Sequence, residues 1–208
     1  LKLAGWTRAG ELKVGDRVAA ARRGGEFGDE AVSRDRIVLT AYMLGDGSCC
    51  NGNLNITTEC AAVVDEIDES ARSIGEDVTI RPKDGTSAVK VEFSRRAASP
   101  FVRWLGEDGT YGKHAWEKSI PAWVYRLSRN DAALFVSRLW ATDGMIKANA
   151  TRPDISYSST SRDLAYDVKS LLLKFGIPTT VSQKEAGYKK PDGTYVRCRD
   201  AYIVRIET

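Results

Sequence analysis

Two long apolar runs in this 208-residue chain are spaced like helices and then stop at an Asp-Gly pair. The first is LTAYMLGDGS at positions 39–48, and the second is LFVSRLWATDGM at positions 134–145. An apolar stretch that ends abruptly at Gly predicts a buried helix with a defined C-terminus. The chain is therefore predicted to build one kind of helix twice, with a carboxylate, Asp46 or Asp143, at the end of each copy.

The segments that follow the two helices also repeat. Each begins with a short alternating strand and continues with an amphipathic helix that ends at Gly, 21 residues on from Leu54 and from Ile155. A further strand, an Asp-Gly turn and a closing strand complete each copy, since Asp-Gly between alternating runs is typical of a hairpin. The pattern predicts an α+β fold of two pseudo-symmetric αββαββ repeats. Its parts are LNIT at 54–57 and ISYS at 155–158, the helix-ending Gly75 and Gly176, the turns KDGT at 83–86 and PDGT at 191–194, and the strands AVKVEF at 88–93 and AYIVRI at 201–206.

The two Asp-Gly helices are predicted to form the interface between the repeats, as in a dimer fused into one chain. The small residues Gly45, Ala41 and Ala141 would let the two backbones approach closely. This packing would bring Asp46 and Asp143 together on the pseudo-twofold axis, in a monomer that imitates a dimer. The side chains predicted to face each other are Ile37, Leu39, Ala41, Met43 and Leu44 on one helix and Leu134, Phe135, Leu139 and Trp140 on the other.

Two carboxylates held close together repel each other unless they share a proton or bind a cation. One Asp-Gly pair alone is more often a helix cap and turn, but two copies on matching repeats favour a joint role. Oxygen ligands without nearby His or Cys favour Mg²⁺ or Mn²⁺, and the C-terminal ends of helices attract cations. The predicted metal ligands are Asp46 and Asp143, together with oxygens of the helix ends at Gly45 and Thr142.

Composition and charge narrow the classes of function further. The chain has no apolar run near the roughly 20 residues that span a bilayer, so no membrane partner is expected. Four cysteines without paired spacing indicate reduced thiols and a cytoplasmic location. The single histidine, His114, excludes a His-rich metal site. The net charge is only +3, but a basic, Tyr-rich stretch from residue 188 onward suits a phosphate-facing surface.

The two Asp-Gly runs resemble the paired dodecapeptide motifs of LAGLIDADG homing endonucleases. KSIPAWV at 118–124 resembles the Lys-x-Ile-Pro block that precedes the second motif in members carried by inteins, and Lys118 lies 25 residues before Asp143. DLAYDVKSLLLKFGIPTTV at 163–181 resembles the block that follows that motif, and GWTRAGELKVGDRVAAARR at 5–23 resembles a strand pair of an intein splicing domain. The ordered set looks most like inteins of actinobacterial replicative DNA helicases.

The resemblance implies a metal-dependent DNA endonuclease that promotes intein homing by cutting each strand once. Asp46 and Asp143 would bind the metal and act in catalysis with Lys118. Helices would pack on one face of antiparallel sheets that form a DNA-binding saddle. Residues 1–32 would be a remnant of the splicing domain, residues 33–125 the first repeat and residues 126–208 the second. The last helix of the second repeat, a partner for Lys118 and the splicing residues are all expected but absent from the sequence.

Strand parity predicts which side chains face the DNA, because alternate residues point to opposite faces of a sheet. Polar and basic side chains of this kind read base edges and phosphates in the major groove. The two faces differ in sequence, so the double-stranded site should be long and asymmetric. The predicted DNA-binding residues are Asn53, Asn55, Thr79, Arg81, Lys83, Lys90, Lys147, Asn149, Ser156, Ser158, Thr180, Ser182, Lys184, Lys189, Lys190, Arg197, Arg199 and Arg205.

Three other functions stay open at this point. A LAGLIDADG-derived protein could bind DNA without cutting it, although the presence of both Asp46 and Asp143 argues against decay. An RNA maturase could use the same scaffold, but the intein-like first segment argues against it. A hydrolase with a carboxylate dyad would need a substrate cleft, whereas the outward faces predicted here are flat and basic.

Overall fold

The computed structural model describes residues 5–16, 18, 24–148 and 153–207. The helices in these residues are α1 (Arg34–Leu44), α2 (Ala61–Ser73), α3 (Pro100–Glu107), α4 (Arg129–Asp143) and α5 (Arg162–Lys174). The strands are β1 (Gly47–Ser48), β2 (Asn55–Thr58), β3 (Thr79–Pro82), β4 (Val89–Glu92), β5 (Gly144–Lys147), β6 (Asp154–Ser159), β7 (Thr179–Lys184), β8 (Gly187–Lys189), β9 (Tyr195–Arg197) and β10 (Ala201–Ile206). Short 3₁₀ turns lie at Ala9–Glu11, Ala115–Glu117 and Ala122–Arg126.

Both repeats build the same antiparallel sheet. The strand order is β1-β2-β4-β3 in the first sheet and β5-β6-β10-β7 in the second. In both sheets the strand that follows the Asp-Gly helix lies at one edge, and the closing strand lies in the middle. The predicted α+β fold of two αββαββ repeats is therefore confirmed. The first repeat also carries α3 after its last strand. The αββαββ pattern does not include this helix, but the resemblance implied a last helix in each repeat.

Matching caps begin and end the helices of the two repeats. The Ser33 and Ser128 hydroxyls accept hydrogen bonds from backbone N–H groups three residues on, at the starts of α1 and α4. At the ends of α2 and α5, Gly75 and Gly176 have φ of 76° and 78°. The N–H of the residue after each Gly reaches back to a carbonyl five residues earlier, which is the Schellman arrangement. The predicted helix ends at these two glycines are confirmed.

Helix α1 lies at the centre of the molecule and is buried on all sides. Every residue from Ile37 to Leu44 is at most 2% exposed. Ile37, Ala41 and Leu44 join the core of the second repeat. The opposite side of the helix serves the core of its own repeat. A helix that is apolar all round can satisfy two cores at once, and this position explains why α1 lacks a polar face.

Helix α4 packs against α1, as predicted, and Phe135 and Leu139 join Ile37 and Ala41 in one core cluster. Leu39 and Met43 belong to the core cluster of the first repeat, against which Leu134 of α4 also packs. The side chains predicted for α1 are thus divided between its two faces. Ala141 is exposed, so the prediction that it lies at the close approach of the helices is wrong.

The two Asp-Gly turns close different hairpins. The KDGT turn joins β3 to β4, with the Thr86 N–H donating to the Lys83 carbonyl. The PDGT turn was expected to play the same part in the second repeat. It instead closes a separate ribbon of β8 and β9, which is inserted between β7 and β10. The second repeat therefore carries a projecting two-stranded arm for which the first repeat has no equivalent in the described residues.

The segment before α1 packs along the second repeat. Backbone N–H groups of Gly28 and Glu30 donate to the carbonyls of Leu127 and Arg126, and the Phe27 ring lies 4.8 Å from that of Phe175. Of the strand pair predicted for 5–23, Arg17 and residues 19–23 lie outside the described residues. Among the helices described, none is long and apolar enough to cross a bilayer.

Candidate active site and nucleic-acid interface

The C-terminal ends of α1 and α4 meet, and this contact places the two acids side by side. A Cβ built on Gly45 would lie 2.0 Å from the Thr142 side-chain oxygen, so the residues directly before Asp46 and Asp143 touch. The Thr142 hydroxyl is held in place by donating to the Leu139 carbonyl at 2.6 Å. Only Gly fits at position 45 at this distance. The expectation that Gly45 permits close approach agrees with this geometry.

The surroundings of the two acids favour their neutral forms. Burial raises the pKa of Asp143 to about 6, the negative charge of Asp46 adds to the shift, and Lys118 opposes it. Burial also raises the pKa of Asp46, again against the influence of Lys118. Asp46 is exposed and Asp143 is half-buried, and two neighbouring carboxylates that repel each other tend to bind either a proton or a cation.

The donor set fits a hard divalent cation. Two carboxylates at the C-terminal ends of helices offer oxygen ligands in a field that attracts positive charge. Within the described ranges, no group of three or more His, Cys, Asp or Glu side chains forms a complete metal cage. Mg²⁺ commonly keeps several non-protein ligands, such as waters and substrate phosphates, so a pair of carboxylates is a sufficient anchor. The predicted ligands Gly45 and Thr142 lie at the contact between the helices.

Lys118 lies directly beneath the first acid. Its side chain is 1% exposed, and its Nζ donates to the carbonyls of Met43 at 2.7 Å, Leu44 at 3.2 Å and Gly47 at 2.7 Å. These three carbonyls bracket Asp46 in the sequence. Burial lowers the pKa of Lys118, while the nearby thiols and carboxylates act in the opposite direction. All three donors of the ammonium group are used, so Lys118 holds the backbone that carries Asp46.

The loop before Lys118 is anchored on the residues that follow β1. The Cys49 thiol donates to the Thr110 carbonyl, and the Gly112 N–H donates to the Cys49 carbonyl. On the other side, the Ser161 hydroxyl donates to the carbonyl of Lys118 itself at 2.6 Å. Cys49 is a free, buried thiol, as expected for reduced cysteines. Lys118 is thus fixed from both repeats.

The outward face of the first sheet presents most of the polar side chains predicted for it. Asn53, Thr79, Arg81 and Lys83 are exposed and Lys90 is half-buried. Asn55 lies in the same outward row but is only 9% exposed. It belongs to the central strand β2 and lies between Ser48 and Glu92 on the neighbouring strands, which restrict access to it. The prediction that Asn55 offers a free side chain is therefore wrong.

Strand parity predicts that Ile80, which alternates with the outward Thr79 and Arg81, faces the core, and the structure agrees only in part. Ile80 pairs with the fully buried Val91 and so lies on the inner face, yet it is 47% exposed. Strand β3 is the edge of the sheet, and every residue in it is exposed.

The outward face of the second sheet is also mainly accessible. Ser156 is an exception, at 4% exposed, because it lies in the central strand β6 between Met145 and Arg205. Ser158 is half-buried, and Asn149 lies outside the described residues. The exposed members of the predicted set are Lys147, Thr180, Ser182, Lys184, Lys189, Lys190, Arg197, Arg199 and Arg205.

Several of the predicted arginines already have partners. Arg205 pairs with Asp154 at 3.0 Å, and Arg81 pairs with Glu92 at 3.1 Å. The Arg199 guanidinium lies 3.7 Å from the centroid of the Trp116 ring, and that ring stacks on His114. Surface pairs of this kind are weak and can exchange for phosphates. Arg205, Arg81 and Arg199 therefore have partners within the chain that a DNA phosphate would have to replace.

One residue at the site was not predicted. Tyr157, in the central strand β6, alternates with the outward Ser156 and Ser158 and is fully buried. Its hydroxyl, however, has no hydrogen-bond partner among the described residues, and it lies close enough to Asp143 and Asp46 for both charges to raise its pKa, although burial is the largest cause. The one sequence feature that marks it is a phenol at a position where the first repeat has Ile56.

Comparison with known proteins finds one family model and several relatives that match this chain. Residues 130–207 match the family model for the LAGLIDADG-like domain. The chain is similar to RecA of Mycobacterium tuberculosis, with 31% identity over 195 residues that cover 90% of this chain. It is also similar to the replicative DNA helicase DnaB of Rhodothermus marinus, with 31% identity over 197 residues that cover 88% of this chain. The chain spans only 24% and 21% of the length of these relatives.

Solved structures show the same fold at low sequence identity. A crystal structure of I-DmoI in complex with DNA and Ca has a TM-score of 0.51 and 13% identity, with 86% of this chain and 85% of that chain covered. Full-length WhiA from Thermatoga maritima has a TM-score of 0.53 and 8% identity, with 86% and 53% covered. I-DmoI is a homing endonuclease, and the N-terminal domain of WhiA is a LAGLIDADG domain. The chain therefore has the LAGLIDADG fold, and its residues 130–207 form a LAGLIDADG-like domain.

Proposed function

We propose that this chain is a site-specific double-stranded DNA endonuclease that hydrolyses one phosphodiester in each strand at the Asp46–Asp143 pair. The observation that carries the proposal is the meeting of the exposed Asp46 and the half-buried Asp143 at the touching ends of α1 and α4. Two acids in this position repel each other when both are ionised, so keeping both charges without a bound cation costs free energy. The same molecule carries two twisted sheets whose outward faces are polar and basic, as DNA binding requires.

The residues of the site divide the work between them. Asp46 and Asp143 would hold Mg²⁺ or Mn²⁺, with Gly45 and Thr142 lying at the same helix contact. A bound divalent cation supplies an activated water and stabilises the charge that develops on the leaving oxygen. Lys118 fixes the backbone around Asp46 through three hydrogen bonds to carbonyls. In this assignment Lys118 is a positioning residue, because its three donors are already used.

The two sheets would bind the two halves of the DNA site. Exposed side chains in the outward rows offer hydrogen bonds to base edges, and Lys and Arg offer contacts to phosphates. The β8–β9 ribbon adds Lys189, Lys190 and Arg197 on the second repeat alone. The contacts on the two sides differ in both chemistry and reach, so the preferred site should be long and asymmetric.

The relatives suggest the setting in which the endonuclease acts. RecA and DnaB have different names, yet each matches almost all of this chain with less than a quarter of its own length. A segment that recurs inside differently named proteins is what a mobile insertion would produce. We therefore propose an intein as the setting and intein homing as the role of the cleavage, with a replicative DNA helicase as one possible host. The proposal places the protein in the cytoplasm, where it would act as a monomer.

A second function has one observation in its favour. The described residues supply two acidic side chains at the site and no larger cluster, which is the smallest anchor that could hold the cation needed for cleavage. A protein with this fold could therefore bind a specific DNA sequence without cutting it. The two functions share the sheets and differ only in what happens at Asp46 and Asp143.

The test begins by finding the DNA target. A randomised duplex library is selected for binding to the wild-type chain in Ca²⁺, and the selected duplex is then incubated with Mg²⁺ or Mn²⁺. The proposal expects a staggered double-strand break, which Asp46→Asn or Asp143→Asn abolishes while binding in Ca²⁺ persists. Selective binding without cleavage in either metal would favour the second function. Failure to select any sequence would overturn both.

A further inference from the structure

The residue that the proposed chemistry leaves unused is Tyr157. In the β5–β6 ladder Tyr157 lies directly opposite Gly144, the residue after Asp143. In the first repeat the equivalent pair is Gly47 with Ile56. Residues opposite each other in antiparallel strands have their Cβ atoms about 5 Å apart. The register therefore brings a phenol beside the second acid and an aliphatic side chain beside the first.

The Tyr157 hydroxyl is in an unusual state for a buried polar group. The side chain is 0% exposed, its ring packs 5.7 Å from that of Trp140, and its oxygen has no hydrogen-bond partner among the described residues. Buried hydroxyls are normally satisfied, because a group removed from water without a partner lowers stability. Burial and then the charges of Asp143 and Asp46 raise the pKa of the phenol, so it remains a hydrogen-bond donor.

We propose that Tyr157 is a positioning residue for Asp143, and that the Tyr157 hydroxyl donates to the Asp143 carboxylate when the acid pair holds a divalent cation. This inference rests on the proposed function of the acid pair. The hydrogen bond would fix the orientation of one carboxylate oxygen and leave the other free for the cation. It would also satisfy the buried hydroxyl only in the metal-bound state.

A consequence is that the two halves of the site are supported in different ways. Asp46 is held through its backbone by Lys118, which bonds to carbonyls on both sides of it. Asp143 would be held through its side chain by Tyr157. Removing the phenol oxygen should therefore weaken only the second half. The two DNA strands, each cut by one half, should then be cut at clearly different rates.

The first experiment measures stability and cation binding and does not depend on cleavage. Tyr157→Phe should leave the midpoint of thermal unfolding in EDTA unchanged or raise it, because it removes an unsatisfied hydroxyl. It should also reduce the increase in that midpoint produced by Ca²⁺. Tyr125→Phe is the matched control, since the Tyr125 hydroxyl already donates to the Asp167 carboxylate at 3.0 Å. The control should lower the midpoint in EDTA and keep the full response to Ca²⁺.

The second experiment follows strand cleavage on a supercoiled plasmid that carries the selected target. For Tyr157→Phe, the nicked circle should accumulate, because cleavage of one strand slows by about tenfold, the usual effect of losing one hydrogen bond to a charged group. Strand-specific end labels should show that the same strand is always the slow one. Tyr125→Phe should convert the plasmid to linear DNA and accumulate no more nicked circle than the wild type does.

Each outcome separates the inference from the proposed function. If the wild type cuts no DNA, the endonuclease proposal fails, and the Ca²⁺ response of Tyr157→Phe still decides whether the hydroxyl supports Asp143. If the wild type cuts and Tyr157→Phe cuts both strands at wild-type rates, the inference is wrong. A lower unfolding midpoint for Tyr157→Phe in EDTA, with an unchanged Ca²⁺ response, would likewise show that the residue only packs the core.

Discussion

The two repeats follow the same path but support their acids in different ways. Both begin their first helix at a Ser cap and end their second helix at a Gly with positive φ. The side chains next to the two acids differ. Lys118 bonds to the backbone around Asp46, whereas Tyr157, whose hydroxyl has no hydrogen-bond partner among the described residues, lies beside Asp143. The comparison shows that shared backbone features place the two acids, whereas unshared side chains determine how firmly each is held.

A second difference lies in how much of each central helix is buried. Helix α1 serves two cores and is buried throughout Ile37–Leu44, whereas α4 has an exposed side that includes Ala133, Ser137 and Ala141. The end of α1 therefore has no contact with solvent that could satisfy its last carbonyls. Lys118 supplies those hydrogen bonds from within the protein. The last residues of α4, from Trp140 to Asp143, are half-buried or exposed, so solvent can reach this end of the helix.

The largest expected effect comes from removing the lysine. Lys118→Met keeps a long side chain but leaves the carbonyls of Met43, Leu44 and Gly47 buried without a donor. Hydrogen bonds to charged groups contribute about 1.5–3 kcal/mol each, so the free energy of unfolding should fall by about 3 kcal/mol or more. Urea unfolding followed by circular dichroism measures this loss.

Lys174 provides the control for the lysine substitution. It is also buried, at 7% exposed, but its Nζ donates to a single carbonyl, that of Tyr125. Lys174→Met should therefore cost clearly less than Lys118→Met. Equal losses for the two variants would mean that the three carbonyl bonds of Lys118 add nothing beyond the burial of a lysine side chain.

The next effect concerns the contact that joins the repeats. In Gly45→Ala the new methyl group would lie 2.0 Å from the Thr142 oxygen and 2.5 Å from its Cβ, so the ends of α1 and α4 must move apart. Overpacking of this kind costs about 1–3 kcal/mol. Gly106→Ala in α3 is the control, because nothing lies within 4 Å of its added methyl group, and it should be neutral or stabilising. A stable Gly45→Ala protein would contradict the close approach of the two helices.

Local chemistry explains which parts of the fold could be predicted from the sequence. Helix ends at Gly75 and Gly176, the KDGT hairpin and the alternation along β2 and β6 all depend on residues close together in the chain. The errors arose where the exposure of a side chain depends on elements that are distant in the sequence. Ile80 is exposed because β3 is an edge strand, and Asn55 is covered because neighbouring strands flank it. Neither fact can be read from alternation alone.

The candidate site was predictable only in part, for the same reason. Repetition of the Asp-Gly helices identified Asp46 and Asp143, and the Lys-x-Ile-Pro resemblance identified Lys118. The bonds from Lys118 to Met43 and Gly47 join residues more than 70 positions apart, so the positioning role required the structure. Tyr157 had the same pattern as any inward strand residue, and only its unpartnered hydroxyl distinguishes it.

The pH dependence of stability should sharpen the comparison between the two acids. Without metal, the pKa of Asp143 is about 6 in the folded chain against an ordinary value of 3.8. The folded state thus holds the proton more tightly than the unfolded state, so this contribution to stability is present at low pH and is lost as pH rises from about 4 through 6. Asp143→Asn removes the dependence and should be more stable than the wild type at pH 7 in EDTA.

The measurement is a series of unfolding curves for both proteins from pH 4 to pH 8, compared as a difference so that other titrating groups cancel. Asp46→Asn should show the same direction, since burial also raises the pKa of Asp46. Added Mg²⁺ should restore stability to the wild type and have less effect on either Asn variant. A difference that does not change with pH would show that Asp143 is not destabilised by its surroundings.

The smallest expected effect is on the salt dependence of DNA affinity, and it compares one residue from the outward face of each sheet. Lys90 lies in the first sheet and forms no ion pair within the described residues, whereas Arg205 in the second sheet is paired with Asp154. Each phosphate contact releases counterions when DNA binds. Lys90→Ala should therefore lower the salt slope, which is the change in the logarithm of the DNA-binding constant with the logarithm of the salt concentration, by about one. Arg205→Ala should lower it by less, because Asp154 already offsets part of the charge.

Fluorescence anisotropy over a KCl series in Ca²⁺ measures both slopes, with Lys169→Ala on α5, behind the second sheet, as the control. If Lys90→Ala and the control give the same slope as the wild type, the first sheet does not face DNA in the manner that strand parity predicts.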